Sequence, residues 1–240
     1  MLERIQKIIS GRGIASRRAA ERMIADGRVT VNGTAAELGQ SADPETDEIC
    51  IDGAPIPAVP ERTYIMLNKP KGYVTTLSDE QGRKNVAELV SEAGTRLYPV
   101  GRLDLNSEGL LIMTNDGDMA NALMHPSHSV KKTYHAWVRG TNIPAAVEKL
   151  RKPMDIDGYT IRPAHVEIFS QDDNGAMLSV TIGEGRNRQV RKMCEQAELY
   201  VTRLKRVREG SLDLGSLPTG EWRYLSPEEL QNLLKSCGLN

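Results

Sequence analysis

The sequence predicts an α+β fold divided into a small amino-terminal part and a larger second part. Three observations carry that expectation. Strand-like and helix-like stretches intermix without the strict alternation of a doubly wound sheet. The segment Gly53 to Glu61 holds Pro55, Pro57 and Pro60, which disfavour helix and suit an extended linker. Charge is also segregated: residues 1–28 carry seven Lys/Arg against three Asp/Glu, and residues 29–60 carry no Lys/Arg and six Asp/Glu. A chain of 240 residues exceeds one average domain. The division is therefore set at 1–60, module plus linker, and 61–240, a part large enough to bury its own core.

From the amino terminus, Leu2, Ile5, Ile8 and Ile9 share one face of a short helix over 2–10. Gly11 and Gly13 interrupt it. Ser16 is placed to N-cap a second helix running to Asp26, with Gly27 at its C′ position. Val29-Thr30-Val31 reads as a strand and Asn32-Gly33 as a hairpin turn; a further strand covers Glu48 to Asp52. Beyond the linker, Tyr64–Leu67 is a strand ending in the turn Asn68-Lys69-Pro70-Lys71-Gly72. Further strands are expected at 133–138, 162–169 and 176–182. The last alternates Ala176, Leu178, Val180 and Ile182, as a half-buried strand does. Helical periodicity appears at 85–93, 118–124, 145–151, 188–197 and 227–235.

Composition narrows the class. The central apolar run Leu110–Met113 is far too short to span a bilayer. The opening residues Met1-Leu2-Glu3-Arg4 lack the layout of a secretory signal, so a cytoplasmic location away from membranes is expected. Cys50, Cys194 and Cys237 are scattered, which argues against a disulfide framework or a zinc knuckle. His125, His128, His135 and His165 show no metal-ligand spacing. Net charge is −1, yet residues 183–210 carry eight basic against four acidic side chains. Concentrated positive charge of this kind fits a phosphate-backbone partner.

Arg18 and Arg22 lie four apart on one helical face, with Arg17 alongside and Arg12 just before, so the cluster can reach several phosphates. The order Gly13-Ile14-Ala15-Ser16-Arg17-Arg18-Ala19, then Gly27-Arg28-Val29-Thr30-Val31-Asn32-Gly33, resembles the alpha-L RNA-binding domain of small-subunit ribosomal protein four. In the larger part, Gly101-Arg102-Leu103-Asp104 sits between apolar segments, where a turn carboxylate can project into a cleft. Its extension through Ser107-Glu108-Gly109-Leu110-Leu111 to Asn115-Asp116-Gly117 resembles the pseudouridine synthases of the RsuA/RluB type. Lys132-Thr133-Tyr134 and the basic block Gly183 to Cys194 resemble two further motifs of the same family.

The resemblance implies the fold, an alpha-L RNA-binding domain joined to a catalytic domain with a mainly antiparallel central sheet. It implies conversion of uridine to pseudouridine in ribosomal RNA, without cofactor or metal, by a monomer. Asp104 would be the nucleophilic carboxylate, Arg191 its cationic partner, Tyr134 the ring that stacks on uracil, and Arg102 the residue that helps flip the nucleotide. Arg12, Arg17, Arg18, Arg22, Arg186 and Arg188 would contact RNA, and Lys69 and Lys71, with Arg83 and Lys84, read as loop cations facing phosphate. The blocks Leu67–Gly72 and Gly185–Arg191 look closer to the large-subunit (23S rRNA) branch, on free rRNA or an assembly intermediate. The small-subunit (16S) branch stays open. Two other readings are a non-catalytic rRNA-binding assembly factor and a hydrolase using Asp104 and Glu108 as a carboxylate pair.

Overall fold

Isoleucines at 5, 8 and 9 cannot stay in water, and the first unit forms around them. The computed structural model describes residues 1–238, apart from the side chain of Pro126. It divides into two compact units, one of Met1–Thr63 with 94–96 and 115–117, the other holding the remainder.

In the first unit, β1 (Glu3–Arg4) leads into α1 (Ile5–Gly11), followed by α2 (Arg17–Ala25). Ser16 N-caps α2 by accepting from the Ala19 amide, as its sequence position anticipates. Strands β2 (Val29–Val31) and β3 (Thr34–Ala35) form the expected hairpin, with positive φ at Asn32 and Gly33. The short β4 (Ser41–Ala42) pairs with β1. Then come β5 (Ile49–Ile51) and β6 (Ala54–Pro55), giving a sheet ordered β3-β2-β5-β6. Ile5, Ile9, Ala20, Ile24 and Val29 are buried together. Two expectations need correcting. Leu2 is exposed and precedes the helix, and the linker's first residues are not free chain, because Ala54 and Pro55 pair with β5.

The second unit is built on a nine-stranded sheet. Its elements are β7 (Tyr64–Lys69), α3 (Val86–Leu89), β8 (Tyr98–Pro99), β9 (Glu108–Thr114), α4 (Gly117–Met124), β10 (Lys132–Arg139) and α5 (Ile143–Leu150). There follow β11 (Met154–Ile156), β12 (Tyr159–Ile161), β13 (His165–Asp172), β14 (Gly175–Ile182), α6 (Gln189–Gln196) and β15 (Tyr200–Glu209). The chain closes with β16 (Leu212–Asp213), β17 (Trp222–Tyr224) and α7 (Pro227–Ser236). The main path runs β13-β14-β10-β15-β9-β7-β17, antiparallel at every joint except the parallel β15–β9 pairing. Pro163 delays the expected 162–169 strand, so β13 starts at His165 and runs on to Asp172. Helix 85–93 splits into α3 and a 3-10 turn at Ser91–Ala93.

One apolar cluster joins the inward residues of β10 and β14, such as Ala136, Leu178 and Val180, to α5 and α6. A second joins Met66, Leu110 and Ile112 to α4 and α7. The apolar stripe read on α6 is buried as expected, at Val190, Met193, Cys194 and Ala197. No helix among the described residues is long and apolar enough to cross a membrane.

Candidate active site

Asp104 lies in the loop between β8 and β9, and that loop is held from several sides. Buried Thr75 donates its hydroxyl to the Leu103 carbonyl (2.7 Å) and accepts from the Leu103 amide (3.2 Å). Gly72 N donates to Leu105 O (2.9 Å), and Ser107 N to Asp104 O (3.0 Å). Arg191, reaching over from α6, donates to the Asn106 carbonyl (2.9 Å) and to Val201 O (3.3 Å). The backbone of Asp104 is thus fixed while about a third of its side chain stays open to solvent. Such preorganisation is what a group attacking a bound substrate needs.

Lys69 requires a correction. The sequence places it in an exposed loop facing phosphate, but it ends β7 and is fully buried. Its Nζ donates to the carbonyls of Pro70 (3.1 Å), Asp104 (3.1 Å) and Ser107 (2.9 Å). It is a support beneath the Asp104 turn and cannot reach RNA. Lys71 and Lys84 are exposed, whereas Arg83 is paired with Asp79.

Burial brings the Lys69 ammonium down to about 8, against the opposing charges of Asp104 and Glu108. An unfolded lysine titrates near 10.4. Below pH 8 both states are protonated and the buried charge costs stability. Between about 8 and 10.4 the unfolded chain holds the extra proton, so this group's contribution to stability rises with pH. Activity should move the other way, because a neutral amine has one N–H fewer for three carbonyls. Turnover is expected to fall as pH rises through about 8, and Lys69→Met to lose that limb while running about tenfold slower at pH 7. Paired pH–rate profiles check this; an unaltered alkaline limb in the variant would assign it to another group.

Around the carboxylate, the cation within ion-pair range is Arg188, whose Nη1 is 4.0 Å from Asp104 Oδ2. Arg191 is close enough for the Asp104 charge to act on it, but burial and the neighbouring Arg188 lower its pKa. Arg191 Nε is buried without a hydrogen-bond partner. Arg188 adopts a left-handed backbone (φ 52°, ψ 29°) at the start of α6, a conformation that costs a non-glycine residue about 1–2 kcal/mol. Strain of this kind clusters at functional sites. Arg102 is exposed one residue before Leu103.

Tyr134 on β10 is 8% exposed. Burial raises its pKa, opposed by a hydrogen bond and the charge of Arg206, so the phenol is protonated at neutral pH. Arg206 is buried opposite Tyr134 in the β10–β15 register. Its Nε donates to Leu110 O (2.7 Å) and its Nη2 lies 3.2 Å from Glu209 Oε2. Lys132 Nζ is 3.5 Å from the other Glu209 oxygen. Arg206 and Glu209 escaped the sequence reading, where they counted only as members of a charged stretch. Cys194, buried in apolar surroundings, has its thiol pushed up to about 12 and is inert at neutral pH.

The carboxylate pair fails geometrically. Glu108 begins a strand, not a helix turn shared with Asp104, and it is buried against Arg203 Nε at 2.5 Å. Elsewhere, Arg186 stacks on Tyr159 at 3.1 Å from the ring centroid. Arg17, Arg18 and Arg22 are exposed along α2, while Arg12 donates to the carbonyls of Pro57 and Pro44. Among the described residues no three His, Cys, Asp or Glu side chains gather to hold a metal ion.

The profile of the RNA pseudouridylate synthase family matches residues 63–196, and that of the S4 domain residues 3–48. An uncharacterized RNA pseudouridine synthase of Aquifex aeolicus is 40% identical over 238 residues, covering 98% of this chain and 95% of that one. The ribosomal large subunit pseudouridine synthase B of Bacillus subtilis is 40% identical over 235 residues, 97% and 96% of the two chains. A crystal structure of a pseudouridylate synthase superposes with a TM-score of 0.68 at 29% identity, over 96% of this chain and 99% of that one. With the family profile over more than half its length and relatives at 40% identity over nearly all of it, the chain belongs to the RNA pseudouridylate synthase family.

Proposed function

We propose that this protein isomerises a specific uridine to pseudouridine in large-subunit (23S) ribosomal RNA, with Asp104 as the nucleophile. The observation that carries the chemistry is a partly open carboxylate on a backbone immobilised by Thr75, Lys69 and Arg191. The target follows the Bacillus subtilis and Pseudomonas aeruginosa relatives, both named ribosomal large subunit pseudouridine synthase B. The substrate is free rRNA or an assembly intermediate, met by a monomer in the cytoplasm.

The reaction breaks the bond between ribose C1′ and N1, forms one from C1′ to C5, removes the C5 proton and returns a proton to N1. Nothing is oxidised, so the chain's own groups suffice. Asp104 acts as covalent catalyst. Arg188 and Arg191 supply positive charge beside it. Tyr134 offers an un-ionised ring on which uracil stacks, and Arg102 helps hold the flipped nucleotide out of its helix.

Mapping pseudouridine in both ribosomal RNAs, by carbodiimide modification and primer extension after incubation with the protein, tests the reading. A single new stop in 23S rRNA is expected. A stop in 16S rRNA would move the target to the small subunit, and none on free or partly assembled rRNA would favour a binding protein without turnover.

The amino-terminal unit supplies sequence-independent affinity through Arg17, Arg18 and Arg22. Changing all three to alanine is expected to weaken rRNA binding at low salt. It should also flatten the slope of log K against log salt by about 2–3, near one per lost phosphate contact. Binding titrations from about 50 to 300 mM salt, over which the Debye length falls from roughly 14 to 6 Å, check it. An unchanged slope removes these arginines from the interface.

A further inference from the structure

Side chains alternate across a strand. Tyr134, Ala136 and Val138 of β10 face the core, so His135, Trp137 and Arg139 stand on the other face of the same strand. The β10–β15 register sets Lys205 opposite His135, Arg203 opposite Trp137 and Tyr200 opposite Arg139. These groups touch. The Arg203 guanidinium lies 4.5 Å from the Trp137 ring centroid, and the His135 ring lies 6.2 Å from Trp137 and 5.5 Å from Phe169.

Phe169 reaches this face through a register shift in β13 between Ile168 and Ser170. A bulge turns out a side chain that strict alternation would direct elsewhere. Phe169 is 67% exposed, and Tyr200 is 72% exposed. The chain has one phenylalanine and two tryptophans. Holding that phenylalanine and one tryptophan on an open sheet face forgoes their burial in a core, and an exposed aromatic group of this kind marks an interaction site.

The charges select the partner. Arg139, Arg203 and Lys205 are interleaved with the rings; of the acids close by, Glu108 is paired with Arg203 and Asp213 with Arg208, and Glu167 lies 3.3 Å from His165. An apolar protein surface pressed on this face would bury Arg139 and Lys205 without an ion-pair partner, which is costly. A nucleic-acid strand offers bases to the rings and phosphates to the cations.

We propose that the open face of β13, β14, β10 and β15 is a second RNA-binding surface, which takes a single-stranded segment of the substrate on the opposite side of β10 from Tyr134. This deepens the pseudouridine synthase reading and rests on it. Neighbouring bases stack on Trp137 and Phe169, while Arg139 and Lys205 contact the backbone.

The test uses the full chain and a single-stranded oligouridylate carrying 4-thiouridine. Ultraviolet crosslinking followed by peptide mapping should mark 132–139 and 165–172. Phe169→Ser and Arg139→Gln, both at exposed positions, should weaken oligouridylate binding, the first about tenfold through one lost stacked base and the second by flattening its salt dependence through one lost phosphate contact. Both should keep the wild-type melting temperature and their turnover on a saturating short stem-loop. Wild-type affinity in both variants, or crosslinks confined to 102–107 and 183–192, overturns the proposal and leaves the face to a protein partner. Oligouridylate binding needs no turnover, so an enzyme that modified no rRNA would overturn the functional reading without disturbing this result.

Discussion

Replacing Asp104 with asparagine is expected to lower isomerisation by at least about three orders of magnitude, as loss of a covalent nucleophile does. RNA affinity should stay within about threefold. The asparagine side chain matches the carboxylate in shape, and the loop holding it is fixed through backbone atoms. Lys69 donates to the Asp104 and Ser107 carbonyls, Thr75 to that of Leu103 and Arg191 to that of Asn106. None of these bonds uses the Asp104 carboxylate. The variant should therefore melt with the wild type and bind rRNA with the same salt slope. Single-turnover assays on the 23S site, read beside binding isotherms, separate the two effects. Residual turnover within tenfold of wild type would remove the nucleophile role, and a matching loss of binding would make Asp104 a contact residue instead.

How far the sequence reveals this site depends on whether a residue acts through local or distant partners. Ser16 caps the helix that follows it, and Asn32-Gly33 turns the hairpin that contains it; both effects are settled within a few residues. The stripe on α6 was legible for the same reason. Strand β15 was not. Its inward positions include Arg206, and register shifts at both ends break the alternation that would betray a strand. Arg206 can be buried only because Glu209, Tyr134 and the Leu110 carbonyl lie around it, and Tyr134 and Leu110 come from strands far away in sequence. Strand β9 was hidden differently. All seven of its residues are buried, so it reads as a short apolar run with no period. Lys69 defies the sequence expectation because a lysine in a turn usually faces water, and two of its three carbonyl partners, Asp104 and Ser107, come from the loop 35 and 38 residues ahead.

The largest stability effect is expected at Gly109, in the fully buried strand β9. Here β9 meets β15 in the one parallel joint of the main path, with Gly109 opposite Arg206. Its φ is +107°, and a Cβ built on it would lie 2.2 Å from the Arg206 carbonyl oxygen and 2.7 Å from the Arg206 nitrogen. Both obstacles are backbone, so no rotamer change relieves them. Gly109→Ala must push β15 away from β9. That movement strains the bond from Arg206 to Leu110 and leaves the Arg206–Glu209 pair poorly enclosed in the core. Breaking a buried charge network after a backbone clash places the cost at about 4 kcal/mol or more. For a chain of this size, that lowers Tm by roughly 8–16 °C. Gly215→Ala is the matched control. Its φ is +55° and nothing lies within 4 Å of the added carbon, so only the left-handed backbone penalty applies, about 1–2 kcal/mol. Thermal melts of the two variants distinguish steric closure from backbone preference. If Gly109→Ala melts within about 2 °C of Gly215→Ala, roughly the shift of 1 kcal/mol or less, the two strands have room to separate and the parallel joint does not hold the site together.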